Sequence, residues 1–442
     1  MKSDGGLTAS PERVEVLSWV EGRIGSFARE TAGARLTRPR PNPPAELPPP
    51  ELVEDAPALA RLLEALRGER EIAVDTEADS FFHYQERVCL VQITAGGRDW
   101  LVDPLQGLDI RPLGEVLADA KKTKVFHDGE YDILIMKREF GFTFANLFDT
   151  RIAAAALGME APGLAAVVGA RYGFELDKSQ QRSDWSRRPL TREQIAYAAL
   201  DTHYLVPLMH EFEAELEARG RMPILRGECA RLEALAPPEK TFHPDEFLRI
   251  KGARKLSLLS LRVLRELFVL REQHARERDL PPFKVLSPQA LLTLAEAQPT
   301  SLRHLDRSRA VPPSVLRRLG NDILAAVQRA KAAGPFERVP ELPSRSEESE
   351  LDEQELELHE RLKQWRKERA QREGIDSALI LNRRVLVRLA EERPRASAEL
   401  ARTEGLVDWQ LERYGDELLR VIADFERDLS EGKIEPRRGR RR

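Results

Sequence analysis

Residues 71–103, EIAVDTEADSFFHYQERVCLVQITAGGRDWLVD, contain three strand-forming runs whose order decides the fold. EIAVDTE, VCLVQIT and DWLVD are bounded by turn residues, and Gly96-Gly97 separates the last two. Three runs in succession predict a meander. Upstream, PALARLLEALRGER predicts a helix with Leu59, Leu62, Leu63 and Leu66 on one stripe and a stop at Gly68. Downstream the pattern changes. A helix near 113–120 leads to the strand KVFH (124–127), the helix EYDILIMKREF (130–140) and a further helix that Asp149 is placed to cap. A long helical stretch from Thr191 to about Arg219 closes the unit. A meander followed by strands alternating with helices predicts an α/β domain with a mixed sheet.

The whole chain has 442 residues, which suggests about three domains. Lys and Arg number 70 against 74 Asp and Glu, so the net charge of −4 excludes a uniformly basic nucleic-acid binder, though not basic segments offset by acidic ones. No apolar run approaches the roughly 20 residues of a spanning helix, so no membrane partner is expected. The N-terminus lacks the apolar stretch of a signal peptide. Cys89 and Cys229 are the only cysteines, too few for a Cys-rich zinc site or a disulfide framework, and the expected compartment is the reducing cytoplasm.

Residues 1–51 read as an extension ending in the proline-dense PRPNPPAELPPP, with one short amphipathic stretch near residues 14–27. The α/β unit spans 52–236, and Pro237-Pro238 marks its end. A helical unit follows over 240–334; its residues 243–333 carry 17 basic and 9 acidic side chains, a net of +8. An acidic linker occupies 335–354, a second helical unit 355–430, and a tail 431–442 ends in PRRGRRR. The two helical units resemble each other. LRELFVLREQHARERDLPPFKVLSPQALLTLAEAQP aligns with LHERLKQWRKERAQREGIDSALILNRRVLVRLAEERP, and SVLRRLGNDILAAV with WQLERYGDELLRVI, an internal duplication rather than a solenoid.

The chemistry lies in three acidic segments. In AVDTE, strand alternation puts Asp75 and Glu77 on one face, where two carboxylates repel unless a cation lies between them. The plain alternative is a strand ending in a solvated turn. In KVFHDGEYDILIM, Asp132, one turn into the helix, is favoured as the functional acid and Asp128 as the helix cap. In QIAYAALDTHYL, Tyr197 and Asp201 are four apart and share a helix face, amid alanines that permit close packing. Each motif is weak alone. Together they supply four hard oxygen donors without a Cys or His cluster, a set suited to Mg²⁺ or Mn²⁺. Two such ions about 3.5–4 Å apart can activate water and stabilise the leaving oxygen in phosphodiester cleavage.

DTE, the YD at 131–132 and YAALD resemble the three exonuclease motifs of the DEDD superfamily, in its tyrosine-bearing subgroup. KSQQRSDWSRRPLTREQIAYAALDTHYL is especially similar to the ribonuclease D family. IKGARKLSLLSLRVLRELFVLREQHARERDLPPFKVL resembles the helicase-and-RNase-D C-terminal (HRDC) domain. The resemblance implies an α/β ribonuclease H-like (DnaQ-like) exonuclease domain over 52–236, a first HRDC domain over 240–334 and a second HRDC-like domain over 355–430. It implies that Asp75, Glu77, Asp132 and Asp201 hold two divalent metal ions, Mg²⁺ or Mn²⁺, and that Tyr197 orients the attacking water. The implied activity is 3′→5′ exoribonuclease action releasing nucleoside 5′-monophosphates, with RNA such as tRNA precursors as partner.

Lys178, Gln181, Arg182 and Trp185 are candidates for phosphate or terminal-base contacts, against a salt bridge for Arg182 and a core anchor for Trp185. Phe81 and Phe82 are candidate wedges against a terminal base, with core packing the alternative. Lys251, Arg254 and Lys255 form a basic cluster suited to phosphates, or a solvated helical face. The second copy has Asp376-Ser377 in place of Pro-Pro-Phe and an acidic approach, which puts its nucleic-acid role in doubt. Two other functions compete: the same chemistry on DNA, and a non-catalytic RNA-binding protein. No residue selects the sugar. All four acids and the tyrosine being present argues against the second.

Overall fold

A computed structural model describes residues 41–238, 241–341 and 351–434, in a unit that begins at Pro44. The amphipathic stretch near residues 14–27, most of the proline-rich extension, residues 342–350 of the acidic linker and the PRRGRRR tail lie outside the described residues.

The sheet grows from the predicted meander. β1 (Glu51–Val53) precedes α1 (Ala56–Gly68), and β2 (Glu71–Ala78), β3 (Val88–Ala95) and β4 (Arg98–Val102) follow, with β3 antiparallel to both of its neighbours. α2 (Leu113–Ala118), β5 (Thr123–Phe126), α3 (Glu130–Phe140), β6 (Leu147–Asp149), α4 (Thr150–Ala156) and α5 (Leu164–Tyr172) follow. The strand order is β1-β4-β3-β2-β5-β6, with β2, β5 and β6 parallel, so the sheet is mixed as expected. Two three-residue strands, β1 and β6, escaped the sequence reading because a run that short carries no period-two signal.

Alternation along β2 and β3 gives the sheet two different faces. On one, Ile72, Val74, Val91 and Ile93 meet Leu66 of α1, Leu113 and Leu117 of α2 and Met136 of α3. Strand register puts Glu77 beside Leu90, Asp75 beside Gln92 and Ala73 beside Thr94 on the other. This face is covered by α6 (Arg192–His203), and the chain continues through α7 (Leu205–Ala218) and α8 (Met222–Ala234). The single helical stretch expected over 191–219 is therefore two helices. Pro207 accounts for the break: it has no N–H to donate, and its ring would meet the carbonyl of His203 in an unbroken helix, so the chain turns at Tyr204 and restarts.

The two helical segments repeat one plan. The first has α9 (Leu258–Glu277), α10 (Pro282–Val285), α11 (Pro288–Ala297), α12 (Leu302–Ser308) and α13 (Pro313–Ala333). The second has α14 (Glu353–Glu373), α15 (Ser377–Ile380), α16 (Arg383–Glu392), α17 (Ser397–Leu400) and α18 (Asp408–Ser430). Even the irregular caps correspond. Ser287 and Asn382 cap α11 and α16, and both helices end in a left-handed residue, Gln298 or Arg393. Their cores differ in attachment. Leu358, Leu362, Ile380, Leu386, Tyr414 and Phe425 of the second bundle belong to one apolar cluster with the α/β unit, whereas the first bundle has a core of its own.

Candidate active site

β2 and β5 are parallel and in register from Glu71 to Ala73, so the chain leaving β5 emerges beside the acidic end of β2. The first turn of α3 starts there, and its Asp132 reaches over the sheet end to accept a hydrogen bond from the Thr76 hydroxyl. Thr76 points away from Asp75 and Glu77 by strand alternation, so this bond holds Asp132 at the strand end between the faces. From the covering side α6 brings Tyr197 and Asp201, whose side chains hydrogen-bond to each other.

The four acids perturb one another. Burial, followed by repulsion from Asp132, Asp201 and Glu77, pushes the Asp75 carboxyl well above its ordinary value. Burial and the charges of Asp201 and Asp132 push Glu77 up to about 9. Burial raises Asp132 and Asp201 as well, opposed by the Thr76 hydrogen bond in one case and by the Tyr197 hydroxyl in the other. Tyr197 is itself driven upward by burial and by the surrounding carboxylates, which leaves its hydroxyl a donor.

Among the described residues no three Asp, Glu, His or Cys side chains stand close enough to hold a metal ion as they are. The donor chemistry nevertheless fits a divalent cation. Four largely buried carboxylates with mutually raised protonation carry a deficit of positive charge, and two of them are turned toward hydroxyls, Thr76 and Tyr197, rather than inward.

The supports of α6 come from residues the motifs did not mark. Thr191 and Gln194 form a capping box, and Gln194 also donates to the Ser183 hydroxyl at 2.8 Å. Arg188 forks onto Asp103 and donates to the carbonyls of Cys89 and Trp185 at 2.7 Å each. Behind Asp201, the Thr94 hydroxyl donates to Asp99 at 2.6 Å and meets Thr202 at 2.7 Å, while His203 Nδ1 sits 2.8 Å from Asp99. Gln92, in register with Asp75, is fully buried, and neither of its side-chain polar atoms has a partner among the described residues. A lone Gln in the apolar run VCLVQIT was the available signal.

Several expected roles change. Asp128 does not cap α3: its φ is +64°, and its side chain accepts from Arg151 at 3.3 Å. Gly129 is the cap residue, and buried Asp149 takes the N–H groups of Asp128 and Gly129 while capping α4 as expected. Trp185 does not reach substrate. It is 1% exposed, packed with Cys89, Leu90, Leu101 and Ala198, with its ring 6.0 Å from that of Tyr197, so it props the tyrosine from beneath. Lys178, Gln181 and Arg182 are exposed on the loop before α6, and Arg182 has no ion-pair partner among the described residues, so the salt-bridge alternative is not what holds it. Lys251, Arg254 and Lys255 are likewise exposed, around the short turn Ala253–Lys255.

Phe81 and Phe82 lie on the turn just past β2, where the first bundle docks. Phe81 is exposed and meets Phe283 edge to face; Phe82 is half-buried with the Lys284 ammonium 4.0 Å from its ring centre. His83 Nδ1 lies 2.7 Å from Asp279 Oδ2, and the Tyr84 N–H donates to Asp279 Oδ1 at 3.0 Å. The Tyr84 hydroxyl donates to Glu272 and accepts from Arg276 Nε at 2.8 Å. The run FFHY directly after the acids was legible as unusual. Its partners, some 190 residues further on, were not.

The comparisons agree with this arrangement. A 3′-5′ exonuclease family model matches residues 50–217, and the HRDC domain model matches 260–327 and 355–422. Ribonuclease D of Escherichia coli (strain K12) is 36% identical over 292 residues, 66% of this chain and 77% of that protein. Ribonuclease D of Acidiphilium cryptum is 31% identical over 387 residues, 86% of this chain and 94% of that protein. Among solved structures, E. coli RNase D, an exoribonuclease involved in structured RNA processing, aligns with TM-score 0.60 and 28% identity over 85% of this chain and 99% of its own. The catalytic core of RRP6 from Trypanosoma brucei aligns with TM-score 0.61 and 28% identity over 68% of this chain and 84% of its own. The expected fold, a ribonuclease H-like exonuclease domain followed by HRDC-type helical domains, is the one found. With sequence and structural relatives that cover most of its length, the chain belongs to the ribonuclease D family of 3′→5′ exoribonucleases.

Proposed function

We propose that this exoribonuclease is metal-dependent, releases nucleoside 5′-monophosphates and trims the 3′ ends of structured RNA such as tRNA precursors. The observation that carries the reading is the convergence of Asp75, Glu77, Asp132 and Asp201, each raised by burial and most by one another, beneath the helix that bears Tyr197. The reading divides the chain into an exonuclease domain over 52–236 and HRDC domains over 240–334 and 355–430.

Those four acids would hold two divalent ions, Mg²⁺ or Mn²⁺, which when bound lower the pKa of water and offset charge on the phosphodiester. The residues of the chain do the rest. The Tyr197 hydroxyl, bonded to Asp201 and carried on a ring that packs against Trp185, orients the attacking water. With its acidity suppressed, it serves as a hydrogen-bonding positioner and not as a base. Thr76 sets the side chain of Asp132. The Thr191–Gln194 capping box fixes the start of α6, and Arg188 ties the segment before it to Asp103 and the Cys89 carbonyl.

The test compares a 3′-extended tRNA with a matched single-stranded DNA in Mg²⁺ or Mn²⁺, beside Asp75→Asn. Losing several kcal/mol of transition-state stabilisation predicts a fall of roughly a thousandfold in the variant. Undiminished activity in Asp75→Asn would overturn the acid centre, and faster degradation of the DNA would transfer the assignment to that substrate.

A further inference from the structure

Among the described residues, the aromatic side chains left exposed are Phe81, Tyr131 and Phe283, at 48%, 44% and 47%. All three lie around the acid site. Phe81 is four residues past Glu77, Tyr131 precedes Asp132 and hydrogen-bonds to Ser80, and Phe283 comes across from the first helical bundle to meet Phe81. Exposed apolar rings gathered in one place mark a binding surface more often than chance exposure does.

We propose that Phe81 and Phe283 form a composite stacking site for one unpaired base of the RNA, upstream of the nucleotide being removed, with Lys284 placed to neutralise its phosphate. The proposal rests on the reading of the acid cluster as the exonuclease centre and adds to it a subsite that the nuclease domain does not possess alone.

Three features carry it. First, the ring centroids are 6.5 Å apart at 72°, so each ring keeps a face open while the pair stays apolar. Second, the spacing is held from outside the pair. Asp279 bonds His83 and the Tyr84 N–H, and Glu272 and Arg276 grip the Tyr84 hydroxyl, which fixes the bundle against the turn without closing it over the rings. Third, the surroundings select the occupant. Lys284 follows Phe283 in the chain and sets its ammonium against Phe82, the residue after Phe81, so one cation adjoins the pair. A flat base with an adjacent phosphate satisfies both features, and only an unpaired base offers its face, which fits a 3′ end threaded singly toward the acids. The rings sit on the outer rim and the acids on the floor, which places the stacked base upstream of the scissile bond.

In the test, short oligoribonucleotides carry 2-aminopurine at successive positions from the 3′ end and phosphorothioate linkages that resist cleavage, and are titrated into the full chain in Mg²⁺. Quenching at one upstream position is expected. Both Phe283→Ala and Phe81→Ala should abolish it and weaken binding about tenfold, the worth of one base stacked on an aromatic ring. Phe283→Trp should restore it. Because Phe283 is half exposed, its removal leaves the bundle core intact, and an unchanged melting temperature checks this. Quenching and affinity unaltered in Phe283→Ala would overturn the proposal. Cleavage by Asp75→Asn of an unmodified oligonucleotide would instead overturn the acid centre, so the two failures are distinguishable.

Discussion

The two HRDC domains share a five-helix plan and differ in how they use one turn. After its first long helix each has a left-handed residue, Asp279 in the first copy and Gly374 in the second, with φ of +49° and +63°. Both turns dock on the nuclease. Asp279 does so through its side chain, which reaches His83 and the Tyr84 N–H at the rim of the acid site. Gly374 does so through its backbone: its carbonyl oxygen would lie 2.3 Å from a Cβ built on Gly158, and the neighbouring Glu373 carbonyl accepts from Arg221. A short polar side chain gives a latch with directed bonds; its absence permits backbone contact and a shared apolar core. Charge follows the same division. Residues 243–333 carry 17 basic and 9 acidic side chains, residues 353–430 carry 15 and 18, so the nets are +8 and −3. Duplication supplied two similar frames: the first keeps a separate core, a basic surplus and a polar latch, and the second shares the apolar core of the nuclease.

The largest effect should come from forcing the second contact apart. A Cβ on Gly158 would meet the Gly374 carbonyl, which is backbone and cannot swing away, and φ there is +83°. Gly158→Ala should cost about 3 kcal/mol, combining a left-handed side chain with overpacking. Gly141→Ala is the control: its φ is +70°, with nothing within 4 Å of the added atom, so it should cost only about 1 kcal/mol. Urea unfolding of the two variants separates the terms. Equal losses would mean that the second bundle is not held at this point.

An intermediate effect is expected from making the first turn like the second. Asp279→Gly removes two hydrogen bonds of the latch and should cost about 1–2 kcal/mol at pH 7. The hydrogen bond from His83, then those from the backbone of Tyr84 and Gln85, hold the Asp279 carboxyl below its ordinary 3.8. A depressed carboxylate stabilises the fold above its unfolded value and ceases to as the pH falls through the folded one. The gap between wild type and Asp279→Gly should therefore narrow between about pH 5 and pH 3. A gap that widened on acidification would assign the latch to another group.

Much of this was legible beforehand, and the limit has a physical cause. β2, β3, α3 and α6 were readable because periodicity and composition are local, and Asp75, Glu77, Asp132, Tyr197 and Asp201 could be assigned to those elements on that basis. The duplication was readable for the same reason. What failed depended on partners distant in sequence. Asp128 looked like a cap until Asp149 took the amides of that turn. For Trp185 the sequence left substrate contact and a core anchor open, and only the packing of α6 on the sheet decides for the anchor. Nothing in the string PPFK says that Phe283 meets Phe81, because that contact spans two separate cores. The different docking of the two copies turns on one Asp and one Gly.

The smallest effect concerns the free cations. Lys251, Arg254 and Lys255 of the first bundle are exposed and without ion-pair partners among the described residues, and so are Lys367, Arg372 and Arg420 of the second. If exposure alone attracted RNA, replacing either trio by alanine would weaken binding equally. The second trio, however, stands on a bundle whose 18 acidic side chains outnumber its 15 basic ones, so its field is offset by the surplus carboxylates around it. Each phosphate contact on single-stranded RNA contributes about 0.7 to the slope of log affinity against log salt. Replacing Lys251, Arg254 and Lys255 together should lower that slope by about 2, and replacing Lys367, Arg372 and Arg420 should leave it unchanged within error. Affinity for a 3′-extended tRNA across a salt series reads both. Equal slopes in the two triple variants would show that the bundles share the RNA, and the difference between them would then rest on the turns alone.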